Sequence, residues 1–134
     1  MEKRDFLLRE IEKLTQLIRK LLGIVEDLTA ENFEVEFGKV NDELADYFGF
    51  NFEELTKMEN SELINRIKDI DELNIEFLTL LISKTINKLQ TTSNNSNINS
   101  KELAKKGIVL IDFIDDKSKT FSINRMNLRK EFQN

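Results

Sequence analysis

Two clusters of carboxylates are the side chains whose type and spacing come closest to a reactive site. Their members are Asp112, Asp115 and Asp116 in one cluster, and Asp69, Asp71 and Glu72 in the other. Carboxylates three and four positions apart share one face of a helix, and their oxygens suit a hard cation such as Mg²⁺. Neither cluster has the central glycine and closing glutamate of a calcium loop. We therefore expect solvated helix ends and caps here, and assign no metal ligand.

The residue types that carry most enzyme chemistry are missing from the 134-residue chain. It has no cysteine, which excludes disulfides and thiol nucleophiles, and no histidine, which is the commonest general base. A glycine-rich phosphate loop, a nucleophile elbow and a helical zinc motif are also absent from the sequence. We therefore expect a protein that is not an enzyme and that uses no cofactor. An enzyme with paired carboxylates around a divalent cation is the alternative.

Basic residues gather near the end of the sequence, where Arg125, Arg129 and Lys130 could form a patch for phosphate or for an acidic surface. The net charge is −5, however, and acidic residues dominate between residues 27 and 76. A nucleic-acid ligand would need the basic part exposed and the acidic part turned away. A small regulator that binds nucleic acid through the basic C-terminal hairpin is therefore only the alternative function.

The opening segment has no signal-peptide pattern, because charged residues interrupt it every few positions. The apolar run FLTLLI at 77–82 is far shorter than the roughly 20 residues that span a bilayer. We expect a cytoplasmic protein with no membrane partner.

A helix from about Lys3 to Leu22, ending near Gly23, must position any site at the start of the chain. At about 100° per residue, its apolar side chains spread over an arc of roughly 160°, which is wider than one packed neighbour covers. Two neighbours are needed, either two helices of the same chain or one helix and a second subunit. We predict a homodimer formed through this face. The interaction residues assigned to it are Leu7, Glu10, Ile11, Leu14, Leu17, Ile18 and Leu21.

Glu10 falls inside this apolar arc, between Leu17 and Leu21 on the helical wheel. A buried carboxylate is strongly unfavourable unless a cationic or hydrogen-bonding group pairs with it. Such a polar group in an apolar seam can set the register of a dimer. The alternative is that Glu10 lies at the edge of the seam and reaches water.

Helical spacing of apolar residues recurs along the rest of the chain, which has no proline and only 4 glycines. A second helix from Ala30 to Phe48 should be capped by Gly49, and Asn51 should cap a short helix after it. Asn60 or Ser61 should start another short helix, and the expected N-caps of the helices after it are Asp71, Ser100, and Thr120 or Ser122. The helix after Asp71 has apolar residues on nearly every side, which predicts a central position.

The sequence predicts one domain, residues 1–134, of the all-α class, organised as an antiparallel helical bundle of about six or seven helices. Residues 1–90 should form the N-terminal helices, and the polar residues 91–99 should form a mobile loop. Residues 100–134 should form a C-terminal helical hairpin that is too short to build a core alone. Gly107 should allow close backbone approach where this hairpin docks.

The first helix carries the pattern D-F-L-L-R-x-I-E-x-L-x-x-x-I. Its residues are Asp5, Phe6, Leu7, Leu8, Arg9, Ile11, Glu12, Leu14 and Ile18. This pattern, with FEELTKMENSELINRI and KSKTFSINR further along, resembles a family of small, uncharacterised bacterial proteins that are all-helical. The resemblance implies tetratricopeptide-like helix pairs toward the C-terminus and no assigned reaction or ligand. Because the chain lacks the proline near the repeat end, it implies at most one degenerate repeat and no peptide groove.

These patterns predict a non-enzymatic helical protein that acts in protein–protein interaction or as a scaffold, in an unknown pathway. It should self-associate through its first helix and bind a further protein of unknown identity. Replacing Leu14 or Leu17 with Glu should then give monomers or insoluble chains.

Overall fold

The computed structural model describes residues 2–92, 97–118 and 120–134, with side chains from Arg4 onward. The described part contains helices and no strand. Its helices are α1 (Glu2–Glu26), α2 (Phe33–Phe48), α3 (Phe52–Lys57), α4 (Asn60–Ile67), α5 (Glu72–Thr91), α6 (Ser100–Ser118) and α7 (Ile123–Gln133). The predicted all-α class is confirmed, and the helices pack as a bundle around one apolar core that reaches from Leu14 to Phe132.

α5 lies at the centre of the bundle, as its apolar residues on nearly every side predict. It packs against α1, α6 and α7. Its enclosed apolar side chains are Ile75, Leu78, Leu81 and Ile82. Burial of these side chains removes apolar surface from water on several faces of one helix, so α5 links the other helices into one core. Within the described residues, no helix is both long enough and apolar enough to cross a membrane.

Contacts between side chains show how α1 runs relative to α5. The Asn74 amide donates to the Ile11 carbonyl over 3.1 Å near the start of α5, and Lys84 pairs with Glu26 at 3.1 Å further along. Both sequence positions increase together, so α1 and α5 are parallel.

α7 also runs parallel to α5. The Ser122 hydroxyl lies 3.5 Å from the Glu76 carboxylate at the start of α7, and the Ser83 hydroxyl donates to Glu131 over 2.6 Å near its end. α6 runs in the opposite direction, as the hairpin that joins it to α7 requires. The starts of α1, α5 and α7 therefore lie at the same end of the bundle.

Phenylalanine side chains fill the core between α2 and α3. The ring centroids of Phe33 and Phe37 are 4.8 Å apart, and those of Phe37 and Phe52 are 5.5 Å apart, both in stacked arrangements. Gly49 ends α2 in the left-handed conformation, with φ of 80°, and the chain then turns so that Phe50 is fully buried. The prediction that Gly49 caps this helix is confirmed.

The α6–α7 hairpin docks through a close contact at Gly107. A Cβ atom at this position would lie 2.5 Å from the ring of Phe132. The predicted close approach is confirmed, although an aromatic side chain makes the approach instead of another backbone. Leu128, one helical turn before Phe132, is buried on the same side of α7.

Three predicted N-caps are confirmed. Asn51 accepts from the Glu54 backbone over 2.8 Å, and Glu54 accepts from the Asn51 backbone over 2.9 Å, which completes a capping box. Asp71 caps α5, and of the two candidates Thr120 and Ser122, Ser122 caps α7. Each cap satisfies a backbone N–H that the first turn of a helix leaves unpaired.

The end of α1 was predicted wrongly at Gly23, because the helix continues to Glu26. Val25 extends the buried apolar stripe of α1, and Leu28, just after the helix, is buried in the same core. Gly23 itself is exposed and lies within the helix, where packing outweighs the low helix propensity of glycine.

Two N-termini differ from the predictions, whereas α4 begins at Asn60, one of the two residues predicted to start it. α2 begins at Phe33 instead of Ala30, and α6 is capped by Asn99 instead of Ser100. At α6 the reason is clear, because the Asn99 side chain accepts from the backbone N–H groups of Lys101 and Glu102 at 3.0 and 3.2 Å. The mobile loop predicted at 91–99 falls partly on residues 93–96, which lie outside the described residues.

Candidate interaction surface

The first turns of α1 extend past the start of α5. The Asn74 amide, in the first turn of α5, donates to the Ile11 carbonyl. α5 therefore packs against α1 from about Ile11 onward, and the residues of α1 before Ile11 lie beyond the start of α5. Phe6, Leu7 and Leu8 are 59%, 56% and 50% exposed in this segment. We call these three residues the α1 overhang.

Further along α1, helices of the same chain cover the apolar face. α5 and α2 pack against it, so both neighbours that the wide arc requires belong to one chain. The predicted interaction residues now divide into buried Leu14, Ile18 and Leu21, half-buried Glu10, Ile11 and Leu17, and exposed Leu7. The three buried residues cannot contact a second copy, so they must be removed from the predicted self-association surface. Leu7 remains available.

Glu10 lies beside the α1 overhang and reaches water. Its side chain is 42% exposed and pairs with Lys13 at 3.6 Å. Burial, and after it the negative charge of Glu10, raise the pKa of Tyr47 at the end of α2. The structure thus agrees with the alternative interpretation of Glu10, a carboxylate at the edge of the apolar arc.

Other exposed apolar side chains lie at the same end of the bundle as the α1 overhang. The starts of α5 and α7 meet there, and Tyr47, near the end of α2, lies close enough to Glu10 for the charge of Glu10 to contribute, after burial, to its raised pKa. The residues concerned are Tyr47, Leu73, Phe121 and Ile123. The sequence did not predict this set, because its members lie in separate segments of the chain. Only the relative directions of the helices bring them to one end.

The basic residues of α7 are engaged by the acidic cluster of α6. Arg125 Nε donates to Asp115 over 2.6 Å and is 7% exposed as a residue, and Arg129 binds Asp112. The hydrogen bond to Asp112 is the largest effect that raises the pKa of Arg129. Two of the three basic residues considered for nucleic acid are therefore occupied within the chain, while Lys130 is exposed.

In the second acidic cluster, Asp71 acts as a helix cap. The Asp71 carboxylate accepts from the Leu73 backbone over 3.1 Å, as the predicted cap of α5. Among the described residues, no group of three or more possible metal-binding side chains has the arrangement that a metal ion needs.

Two buried polar side chains, Asn74 and Lys106, link helices by hydrogen bonds, and neither was predicted from the sequence. The Thr15 hydroxyl donates to Asn74 Oδ1 over 2.7 Å, which joins α1 to α5. Lys106 Nζ donates to Asn60 Oδ1 over 2.7 Å and to the Met58 carbonyl, which joins α6 to the turn between α3 and α4. A polar residue within an apolar stripe was the available signal, because such a residue needs a partner when it is buried.

Comparison of the chain with protein-family models, curated proteins and solved structures finds no match. The resemblance of the first helix to a bacterial family therefore stays a prediction. Support for a function has to come from the geometry of the chain.

Proposed function

We propose that the chain is a cytoplasmic, non-enzymatic interaction protein that forms a homodimer through the α1 overhang. The supporting observation is a change of environment along one face of α1. Leu7, Leu14 and Leu21 are separated by seven residues and share this face. Leu14 and Leu21 are 3% and 0% exposed, whereas Leu7 is 56% exposed. The apolar stripe that forms the core thus continues uncovered past the start of α5.

A second copy of the overhang is the partner that this surface fits best. The neighbouring charges, Arg4 and Arg9 against Asp5 and Glu10, balance each other, so two copies meet without net repulsion. An apolar surface with balanced charge can pair with itself around a two-fold axis. Its burial is favourable at about 25 cal/mol per Å² of apolar area before the entropic cost of association.

The size of the α1 overhang limits the expected affinity of the dimer. A stable interface buries about 1,600 Å² in total, which is more than three side chains from each copy supply. Tyr47 and Leu73 lie at the same end of the bundle and can add to the contact. We expect a reversible dimer with a dissociation constant on the order of micromolar.

Exchange of Leu7 for Glu tests the proposal. Leu7→Glu places a charge in the dimer contact but leaves the core intact, because Leu7 is exposed in the single chain. Val35→Glu is the matched control, since Val35 is 67% exposed near the start of α2, at the opposite end of the bundle. Sedimentation equilibrium over a concentration series should show wild type and Val35→Glu rising above the 15.7 kDa chain mass, and Leu7→Glu staying there.

A wild-type chain that stays monomeric at the highest soluble concentration would refute the dimer. So would a folded Leu7→Glu variant with the same association constant as wild type. Leu14→Glu no longer tests the proposal, because Leu14 lies in the core and the substitution should unfold the chain.

We also propose that the chain belongs to the bacterial family that its first helix resembles. The support is the pattern from Asp5 to Ile18 and a fold of helices alone.

A further inference from the structure

α7 fills only part of the channel between α5 and α6. Its buried residues Leu128 and Phe132 occupy one part of this channel, and the helix ends at Gln133. The channel continues as an open groove of about 660 Å³, which we call the α5/α6 groove. Residues that line it include Leu80, Ile86, Ala104, Lys84, Lys101 and Lys105.

The shape of the α5/α6 groove suits a helix. It follows α5 from Leu80 to Gln90, which is about 15 Å, or nearly three turns, at 1.5 Å per residue. Its walls come from helices, so it offers no strand edge to an extended peptide. α7 already lies in the adjoining part of the same channel, with Leu128 and Phe132 directed inward. The groove therefore continues a helix-binding surface that the chain itself uses.

The charge along α6 changes sign between the two parts of the channel. Where α7 lies, α6 carries Asp112 and Asp115, and these carboxylates bind the arginines of α7. Along the open part, α6 carries Lys101 and Lys105. A helix with a charge complementary to the lysines of the open part carries carboxylates.

The other charges around the groove leave this basic character in place. Lys84 pairs with Glu26 and Lys105 pairs with Glu102, but the two lysine side chains remain 41% and 70% exposed. Among the described residues that line the groove, Glu131 is the one acidic residue, and it already accepts a hydrogen bond from the Ser83 hydroxyl.

We infer that the α5/α6 groove binds an amphipathic helix of a partner protein, with apolar residues on one face and Glu or Asp on its flanks. The surface is distinct from the one proposed for self-association, because the groove lies toward the end of α5 and the α1 overhang lies beyond its start. A second copy of the overhang suits it less well, since the charges of the overhang are balanced. The partner thus differs from the chain itself.

Binding of a synthetic helix tests this inference. The probe is a fluorescent, helix-forming peptide about four turns long, with leucines at helical spacing and glutamates on both flanks. The control peptide has lysine in place of each glutamate. Fluorescence anisotropy with the full chain should show binding of the acidic peptide that weakens as salt rises, and at least about tenfold weaker binding of the lysine peptide.

Variants locate the binding. Lys101→Glu combined with Lys105→Glu should weaken binding of the acidic peptide at least about tenfold. The matched control combines Lys39→Glu with Lys57→Glu, whose lysine side chains are 61% and 74% exposed and lie away from the groove. This control should bind like wild type. Ala104→Phe should block the groove without changing any charge.

Two outcomes would overturn the inference. One is equal affinity for the acidic and lysine peptides, and the other is unchanged affinity in both groove variants when circular dichroism shows that they are folded. The Leu7→Glu variant separates this result from the proposed dimer, because it should remain monomeric and still bind the acidic peptide.

Discussion

Gly107 and Gly23 show how tertiary contact decides what a glycine does in a helix. Both lie inside helices, α6 and α1, where glycine is less favourable than alanine. At Gly107 an added Cβ would lie 2.5 Å from the Phe132 ring, whereas at Gly23 nothing lies within 4 Å of it. Gly107 is required for packing, whereas Gly23 only lowers the stability of its own helix.

Alanine at these two positions should have opposite effects. Gly107→Ala should lower the free energy of unfolding by about 1–3 kcal/mol, because α7 must shift to relieve the overlap. Gly23→Ala should raise it by about 0.5–1 kcal/mol through helix propensity. Urea denaturation followed by circular dichroism measures both. If the two changes had the same sign, the contact between Gly107 and Phe132 would not be the deciding factor.

At the scale of the element, α3 is too short to be stable by itself. It has 6 residues, whereas an isolated helix needs about 12–15 to be even marginally stable. Its capping box and the burial of Phe52 and Leu55 compensate for this. Lys106 adds a contact from α6, because it binds the Met58 carbonyl just after α3. α3 is thus held by its ends and its neighbours.

Loss of the capping box should therefore be measurable. Asn51→Ala should lower the free energy of unfolding by about 1 kcal/mol, because the Glu54 backbone N–H loses its acceptor. Asn65→Ala, at an exposed position inside α4, is the control and should change stability by less than about 0.5 kcal/mol. An Asn51→Ala effect no larger than that of the control would mean that packing alone holds α3.

At the scale of the whole molecule, the two ends of the bundle differ. α1, α5 and α7 all begin at one end, where the α1 overhang and the starts of α5 and α7 expose large apolar side chains. Adjoining exposed apolar residues are common at sites of association, while single ones are normal on any surface. This asymmetry is the reason that we propose contact through one end of the bundle.

Association through this end should make thermal stability depend on concentration. A dimer that requires folded chains raises the melting temperature as the protein concentration increases. We expect differential scanning calorimetry to show an increase of a few degrees over a hundredfold concentration range for wild type, and a constant melting temperature for Leu7→Glu. A constant value for both proteins would contradict dimerisation by folded chains.

Interactions between residues close in sequence were enough to predict the helical class and several of the helix caps. Helical spacing indicated the all-α class and the central position of α5, and Asn51, Asp71 and Ser122 were recognisable as caps because each binds a backbone N–H in the turn that follows. Local signals failed where distant contacts outweighed them. The burial of Val25, and of Leu28 just after the helix, carries α1 past Gly23, although that glycine is a local signal for a helix end.

The site depended more on tertiary structure. The sequence by itself determined that the wide apolar face of α1 needs two neighbours, since this follows from helix geometry. It did not determine that both are helices of the same chain, or that α5 begins only beside Ile11 and leaves Leu7 exposed. Spacing along one helix shows which side chains share a face. Whether those side chains are buried depends on where the other helices begin and in which direction they run.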